Sequence, residues 1–241
     1  MTVLILNSGR GSRMGSLTDD RPKCMTEIAA HETILSRQLK MLSAEGLDNI
    51  VITTGYNENV LKSYAAGLAL PAGTKFVNNP CYAVTNYIYS IYLARGELDD
   101  DIILMHGDLV FEESVLGDVI RAENSCMTVS SALPLPQKDF KAVIESGKIA
   151  RIGVEFFDNA LAAQPLYKIL KADMQIWLES ITAFCESGDD SKRRCYAENA
   201  FNAVSDRCSI FPLEIGSRLC TEIDNAADLV RVSEVLKKCG K

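Results

Sequence analysis

The sequence predicts an α/β fold with a mostly parallel central sheet and a small antiparallel insertion, and three observations support this prediction. The chain opens on an apolar, partly β-branched run, Val3–Leu6, which is typical of a buried parallel strand and leads into a glycine-rich loop. Strand-like and helix-like segments then alternate as far as about residue 125. Beyond that point, two strand patterns flanking Ser146-Gly147 indicate a hairpin.

The composition is that of an ordinary globular protein, with 47% hydrophobic and 24% charged residues. The net charge of −7 argues against a broad nucleic-acid-binding surface, and no apolar run approaches the roughly 18 residues of a membrane helix. Met1 leads straight into a predicted strand, without a basic secretory leader. We therefore expect a soluble, cytoplasmic protein. Eight cysteines without a C-x-x-C pair argue against a zinc site, and reduced, mostly buried thiols are expected.

The loop after the first strand has the composition of an anion site. Gly9 and Gly11 allow the backbone to approach a ligand closely, and successive free N–H groups suit a polyphosphate. Arg13 adds a fork of donors and Lys23 a compact positive charge. The string matches neither G-x-G-x-x-G nor the P-loop pattern, so a dinucleotide fold and a P-loop are excluded. A plain strand-to-helix turn is the structural alternative.

The first half of the chain continues as alternating elements. Thr33 is expected to cap a helix that runs to about Glu45, where Gly46 ends it. Further patterns predict a strand with its exit turn at 49–56, a helix at 57–68, a strand at 75–78, a tyrosine-rich helix within 79–94 and a buried strand at 101–111.

The buried strand at 101–111 contains Gly107-Asp108. Ligands bind at the carboxyl edge of an open α/β sheet, so Asp108 is expected to face the same crevice as the glycine loop. The structural alternative for Asp108 is a turn or N-cap residue before a helix that starts at Glu112. His106 is expected to be structural, with a hydrogen-bonded, partly buried ring.

The second half changes its pairing pattern. The prediction there is a strand at 125–133, a hairpin of 140–145 with 148–154, a strand at 164–169, a helix at 172–187, a solvated loop at 188–194, a helix from 195, strands at 209–213 and 217–220, and a closing helix to about Lys238.

The string Leu6-Asn7-Ser8-Gly9-x-Gly11-Ser12-Arg13-Met14, followed by Arg21-Pro22-Lys23, resembles the signature of nucleotidyltransferases that activate sugar phosphates and phosphocholine. It is most similar to that of the bacterial phosphocholine cytidylyltransferases. Further similar segments are Asn79-Pro80 with Thr85-Asn86-x-Ile88-Tyr89-Ser90, and Glu222-Ile223-Asp224. The resemblance implies a three-layer, Rossmann-like nucleotidyltransferase fold in a single domain, 1–241, with a nucleotide-binding half at about 1–125 and an acceptor-binding half at about 126–241.

The resemblance also implies a set of site residues. The phosphates of CTP would lie against the loop and the strand end, at Asn7, Ser8, Gly9, Gly11, Ser12, Arg13 and Gly107, with Lys23 and Arg13 stabilising charge. Asn86 and Ser90 would face the base, and Asp108 and Asp224 would hold Mg²⁺. The acceptor would contact Tyr89, Tyr167, Lys168, Tyr196 and Glu198.

Structural alternatives stand beside these assignments. The tyrosines within 79–94 could be half-buried side chains of an amphipathic helix. Lys168 could be a surface lysine, and Asp224 could be an Asx-turn or N-cap residue. Asn199 and Cys220 also depart from the family pattern, which usually has an aspartate and an aromatic residue there.

The reaction implied is the transfer of CMP from CTP to a small aminoalkyl phosphate such as phosphocholine, with release of pyrophosphate. The acceptor phosphate is already anionic near neutral pH, so no general base is required. The alternatives are 2-aminoethylphosphonate or an amino-acid-derived phosphate as acceptor, a sugar-1-phosphate nucleotidyltransferase, and a non-catalytic nucleotide-binding module. The expected partners are CTP and a phosphorylated or phosphonate acceptor, with no nucleic acid and no membrane; a homodimer is left open.

Overall fold

A nine-stranded sheet forms the centre of the computed structural model, which describes residues 1–239. The strands are β1 (Thr2–Leu6), β2 (Glu27–Ala29), β3 (Glu32–Thr33), β4 (Ile50–Thr54), β5 (Lys75–Asn78), β6 (Ile102–His106), β7 (Leu109–Phe111), β8 (Cys126–Ser130), β9 (Lys141–Glu145), β10 (Lys148–Gly153), β11 (Ala160–Ile169), β12 (Phe211–Glu214) and β13 (Cys220–Glu222).

The α-helices are α1 (Ile34–Ala44), α2 (Glu58–Ala66), α3 (Tyr87–Ala94), α4 (Glu113–Arg121), α5 (Lys171–Glu186), α6 (Asp190–Arg194), α7 (Ala197–Asn202) and α8 (Ala226–Cys239). Short 3₁₀ segments occupy 12–18, 23–25 and 95–97. Within residues 1–239, no helix has both the length and the apolar character that a membrane crossing requires.

The sheet contains both parallel and antiparallel pairings. Its main path runs β10-β9-β11-β6-β1-β4-β5, with β8 on β11 and β12 on β8. β1 pairs in parallel with both β4 and β6, whereas β11 pairs antiparallel with β6, β8 and β9. This mostly parallel sheet with an antiparallel extension confirms the predicted fold class.

The core lies on both faces of β1, because successive side chains of a strand point to opposite sides. Val3 and Ile5 pack in a cluster with α1 and α4, and Leu4 and Leu6 pack in a second cluster with α3, α5 and α7. The helices thus cover both faces of the sheet, as the three-layer prediction requires. Thr33 caps α1 as predicted, through a reciprocal capping box with Ser36.

The parallel pairing of β1 and β6 positions the site. Leu6 is opposite His106, so the loop after β1 and the Gly107-Asp108 turn after β6 emerge side by side. The Gly107 N–H donates to the Leu6 carbonyl at 3.0 Å, and a Cβ at Gly107 would lie only 1.7 Å from Asn7 Oδ1. A glycine is therefore needed for this close approach of the two chain segments.

Three local predictions were wrong. The buried strand predicted at 101–111 is interrupted at Gly107-Asp108 and gives β6 and β7, because this turn redirects the chain out of the central sheet. The strand predicted at 217–220 is β13, at Cys220–Glu222, where β7 provides its partner. The loop predicted at 188–194 contains α6, since the Asp189 side chain accepts from the Ser191 N–H at 2.9 Å and caps it.

Candidate active site

The loop after β1 forms a cradle at the carboxyl end of the sheet. Gly11 has a left-handed φ of 68°, which turns the chain into the 3₁₀ segment that starts at Ser12. The cradle cavity measures about 200 Å³ and is lined by Leu6, Asn7, Gly9, Gly11, Arg13, Lys23, Gly107 and Asp108. The Asn7 Nδ2 amide is buried and has no hydrogen-bond partner among the described residues. It is a free donor beside the cradle, as an anion site requires.

Lys23 joins the cradle to two distant carboxylates. Its Nζ donates to Asp108 Oδ2 at 2.6 Å and to Asp224 Oδ1 at 2.8 Å, and Arg13 Nη2 reaches the same Asp224 oxygen at 2.8 Å. The residues that the sequence assigned to catalysis are therefore brought together, although 201 positions separate Lys23 from Asp224. Asp224 reaches this place because β13 pairs with β7 and the Ile223 N–H donates to the Asp108 carbonyl at 3.0 Å.

The electrostatics of this group favour charged partners. Burial opposes the charge on Lys23, but the carboxylates of Asp108 and Asp224 outweigh it and raise the pKa of the ammonium. Burial likewise opposes the charge on Asp108, yet the positive charge of Lys23, with His106, holds the pKa of this carboxyl below its ordinary value. The cluster is thus a fixed set of opposite charges beside the cradle.

Two overlapping groups of side chains could hold a metal ion. His106, Asp108 and Glu222 offer ligand atoms within 4.8 Å of one another, and so do Asp139, Glu222 and Asp224. Most of these ligand atoms are carboxylate oxygens, which suit a hard cation such as Mg²⁺. Asp108 and Asp224, the pair that the sequence assigned to the metal, belong to different groups, and Glu222 is common to both.

Behind the cradle, Ser90 has a supporting position. It is 1% exposed, and its hydroxyl shares a 2.6 Å hydrogen bond with Ser8 and accepts from Asn79 Nδ2 at 3.0 Å. Ser90 thus holds the cradle rather than offering its hydroxyl to a base. Asn86 caps α3 through its Oδ1 and borders a cavity of about 160 Å³. The other residues around this cavity are Leu6, Ser8, Gly9, Asn79, Tyr82, Thr85, Tyr87, His106 and Asp108.

A third cavity, of about 310 Å³, adjoins Asp108 and Asp224 and has aromatic walls. The ring of Tyr196 lies 5.9 Å from that of Tyr87 and 5.1 Å from that of Phe140, and the Tyr87 ring lies 4.7 Å from that of His106. Acidic side chains from Asp139 and Glu222 border the same space, with Arg13, Asn86, Lys138 and Val154. Rings and carboxylates together favour a small cationic ligand.

His106 and Glu222 form a buried pair within this wall. His106 Nδ1 lies 2.8 Å from Glu222 Oε1, and the ring's Nε2 is buried without a partner among the described residues. Burial and the nearby Asp108 raise the pKa of Glu222 to about 7, although the bond to His106 opposes the shift. Burial alone would lower the pKa of His106, but the effect of Glu222 is larger, so the pKa of His106 is raised. His106 is thus hydrogen-bonded and largely buried, as predicted.

Some predicted acceptor residues lie behind the wall. Glu198 is 1% exposed and accepts from Tyr167 Oη at 2.7 Å and from the hydroxyl of Tyr87. Tyr167 has no exposed surface. Tyr196 reaches the cavity, whereas Tyr167 and Glu198 support it from beneath.

Two predicted acceptor residues lie elsewhere. Lys168 Nζ donates to the carbonyls of Ile120 at 2.9 Å and Ala122 at 2.6 Å, at the end of α4. It points away from the site because adjacent strand residues face opposite sides of the sheet. Tyr89 stacks on Tyr92, at 5.5 Å between ring centroids, and borders none of the three cavities. The predicted contacts of Lys168 and Tyr89 with the acceptor are therefore corrected. Ser12 is exposed and borders none of the three cavities.

The sequence did not identify several residues that line the aromatic cavity, namely Tyr87, His106, Lys138, Asp139, Phe140 and Glu222. Glu222 lay within a quoted acidic motif, and Tyr87 lies one helical turn before the buried Ile91 of α3. These two positions carried a usable signal. Asp139 and Phe140 follow an irregular segment whose course no local pattern predicts.

Comparison with known proteins places this geometry in context. A family model described as a MobA-like NTP transferase domain matches residues 3–197. The choline-phosphate cytidylyltransferase of Streptococcus pneumoniae is 24% identical over 254 residues, with 98% of this chain and 99% of that protein covered. The CMP-5'-(3-aminopropyl)phosphonate synthase of Streptomyces rubellomurinus is 33% identical over 133 residues, which span 55% of this chain and only 21% of that protein.

Among solved structures, the CTP:phosphocholine cytidylyltransferase of Streptococcus pneumoniae superposes with a TM-score of 0.79 at 18% identity. The superposition covers 98% of each chain. At this identity the likeness establishes the fold, and it extends over almost the whole length of both proteins.

Proposed function

The chain belongs to the family of MobA-like NTP transferase domains and is a nucleotidyltransferase; from that premise we propose that it transfers CMP from CTP to a small aminoalkyl phosphate or phosphonate. The observation that carries the proposal is the contact of Lys23 Nζ with both Asp108 and Asp224 beside a glycine-rich anion cradle. It joins the charges that phosphoryl transfer requires at one edge of the sheet.

The cradle holds the triphosphate. The backbone around Gly9 and Gly11, the free Nδ2 of Asn7 and the guanidinium of Arg13 supply donors for phosphate oxygens. Lys23 neutralises charge at the reacting phosphorus. Ser90 and Asn79 keep Ser8, and with it the loop, in a single arrangement.

Asp108 and Asp224 would hold Mg²⁺, with Glu222 in reach of both groups of ligands. When bound, this ion supplies positive charge to phosphoryl oxygens and aligns the nucleotide with the acceptor. Lys23 contacts both carboxylates and compensates part of their negative charge.

The proposed reaction needs no general base. An anionic oxygen of the acceptor phosphate or phosphonate forms a bond to the α-phosphorus of CTP, and the bond from that phosphorus to the bridging oxygen breaks, so pyrophosphate leaves with the electron pair. The acceptor's second pKa is about 6, so its oxygen is already deprotonated at neutral pH. Alignment and charge neutralisation are what the chain's residues provide.

The aromatic cavity holds the acceptor's amine. The rings of Tyr87, Phe140 and Tyr196 favour an ammonium group, and the carboxylates of Asp139 and Glu222 complement its charge. Phosphocholine is the first candidate acceptor, in line with the activity named for the relative that matches the chain over nearly its full length. 2-Aminoethylphosphonate is the second candidate, because carboxylates suit the three N–H donors of a primary ammonium.

The test is pyrophosphate release with each of the four NTPs against phosphocholine, phosphoethanolamine, 2-aminoethylphosphonate and glucose 1-phosphate, in the presence of Mg²⁺. We expect turnover with CTP and at least one amine-bearing acceptor. Turnover with glucose 1-phosphate alone would overturn the proposed acceptor class, and preference for another NTP would overturn the proposed nucleotide.

A further inference from the structure

Lys141, the first residue of β9, is a lysine without exposed surface. Its Nζ donates to the carbonyl oxygens of Pro136 at 2.6 Å and Asp139 at 3.1 Å, and it lies 4.3 Å from the centre of the Phe157 ring. Within residues 1–239 the ammonium forms no ion pair. Burial lowers the pKa of Lys141, against the opposing effect of Asp139 and Glu155.

Burying a cation without a counter-ion costs free energy, and a hydrophobic side chain would fill this position more cheaply. Unlike a hydrophobic side chain, the ammonium forms directional hydrogen bonds, and both of them go to carbonyls of one short segment. We call residues 134–139 the strap. Lys141 ties the strap to β9, and through Phe157 it also contacts the connection between β10 and β11.

The strap leads directly to the aromatic cavity. Its last two residues, Lys138 and Asp139, border that cavity, and Phe140 follows them. A carboxylate oxygen of Asp139 lies within 4.8 Å of oxygens of Glu222 and Asp224. Like charges at this distance repel, so Asp139 would move outwards unless its backbone were held.

The pKa of Asp139 reflects this arrangement. Burial raises the pKa of its carboxyl, and the negative charges of Asp224 and Asp228 raise it further. No side-chain cation of residues 1–239 forms an ion pair with Asp139. Arg13 and Lys141 offset part of this repulsion, and a ligand cation in the cavity would relieve it further.

We propose that Lys141 is a positioning residue that holds Asp139 at the aromatic cavity, and that Asp139 is the carboxylate that recognises the ammonium group of the acceptor. This rests on the proposed function, because it requires an amine-bearing acceptor in that cavity. It gives the strap a role in specificity and leaves the nucleotide cradle unaffected.

The test compares phosphoethanolamine with ethyl phosphate, which lacks only the amine. Asp139→Asn and Lys141→Met are each expected to raise the KM for phosphoethanolamine about ten-fold or more, the size of one lost hydrogen bond to a charged group. In Lys141→Met, whose side chain borders neither the cradle nor the aromatic cavity, the KM for CTP and the turnover of ethyl phosphate are expected to stay within two-fold. The double variant is expected to be no worse than Asp139→Asn alone, since both act through one contact.

Lys148→Met is the matched control, because Lys148 lies on the neighbouring strand and contacts Ser209 and the Phe211 ring away from the cavity. If Lys141→Met does not fold, Asp139→Asn and Phe157→Leu decide the question. Equal KM increases for both acceptors, or an unchanged discrimination in Asp139→Asn, would overturn the inference. A wild-type protein without turnover on any amine-bearing acceptor would instead overturn the proposed function itself.

Discussion

The nucleotide cradle and the aromatic cavity lie side by side, yet they are assembled in different ways. The cradle comes mainly from one stretch, Asn7–Arg13, at the end of a parallel strand, with Lys23 close behind it. The aromatic cavity draws its walls from α3, β6, the strap, α7 and β13. A contiguous site is visible in the sequence, whereas a convergent site depends on how distant elements pack.

The two regions also differ in charge. Lys23 gives the cradle positive charge, and Asp139, Glu222 and the buried Glu198 give the other region negative charge, which Lys138 only partly offsets; Arg13 borders both regions. Asp108 and Asp224 lie where the two regions meet. Each region therefore suits one end of the proposed reaction, with phosphates on one side and an ammonium on the other.

We expect the largest effect from Lys23→Met, which tests the nucleotide cradle separately from the aromatic cavity. This change removes the cation that bridges Asp108 and Asp224 and the charge beside the reacting phosphorus. We expect kcat to fall by about 10² to 10³, as for the loss of one preorganised donor to a developing charge. Pyrophosphate release under saturating CTP and acceptor measures it.

Lys62→Met is the control for this prediction, because Lys62 is an exposed partner of Glu58 on α2. It should leave kcat unchanged. A Lys23→Met protein with wild-type kcat and only a raised KM for CTP would show that Lys23 binds the nucleotide but takes no part in the chemical step.

The difference between the regions also explains which predictions succeeded. The fold class was predictable because the alternation of elements and the apolar run at Val3–Leu6 are local signals. The position of Asp108 beside the glycine-rich loop followed from the rule that parallel strands present their carboxyl ends at one edge. Asp224 joined them through the β7–β13 pairing. The family motif indicated a metal-binding role for Asp224, but neither the motif nor local propensity predicted this pairing.

The predictions of site residues failed where the role of a residue depends on the side of its helix or strand to which the side chain points. Tyr87 and Tyr89 are two residues apart on one helix, so they point to opposite sides, and the tyrosine-rich string alone did not tell which one faced the cavity. Tyr167 and Lys168 are neighbours on a strand and face opposite sides for the same kind of reason. Asp139 could not be found, because its place depends on the tether from Lys141.

A second prediction concerns Glu222, one of the acidic residues of the aromatic cavity. The pKa of Glu222 is raised from 4.5 to about 7 by burial, so the folded state binds more protons than the unfolded state between those values. Stability therefore falls as pH rises through this window, and the raised pKa of His106 acts in the same direction above 6.5. The free energy of unfolding of the wild type should therefore fall between pH 5 and pH 8. We expect Glu222→Gln to make this fall smaller by about 2 kcal/mol.

Urea denaturation of the metal-free protein at both pH values checks this prediction, with the exposed Glu234→Gln of α8 as control. The control should follow the wild type at both values. An identical pH dependence for wild type and Glu222→Gln would mean that Glu222 stays ionised in the folded state and that the His106 pair compensates its burial.

The smallest expected effect on activity is that of Lys168→Met, which tests whether this lysine belongs to the acceptor region at all. Its ammonium caps two carbonyls at the end of α4, so the change should lower the free energy of unfolding by about 1–3 kcal/mol. The KM for the acceptor should stay as in the wild type, because the side chain lies on the opposite face of β11 from Tyr167. Lys171→Met, an exposed lysine at the start of α5, controls for loss of charge. A raised acceptor KM at unchanged stability would place Lys168 back in the acceptor region and would blur the distinction between a contiguous and a convergent site.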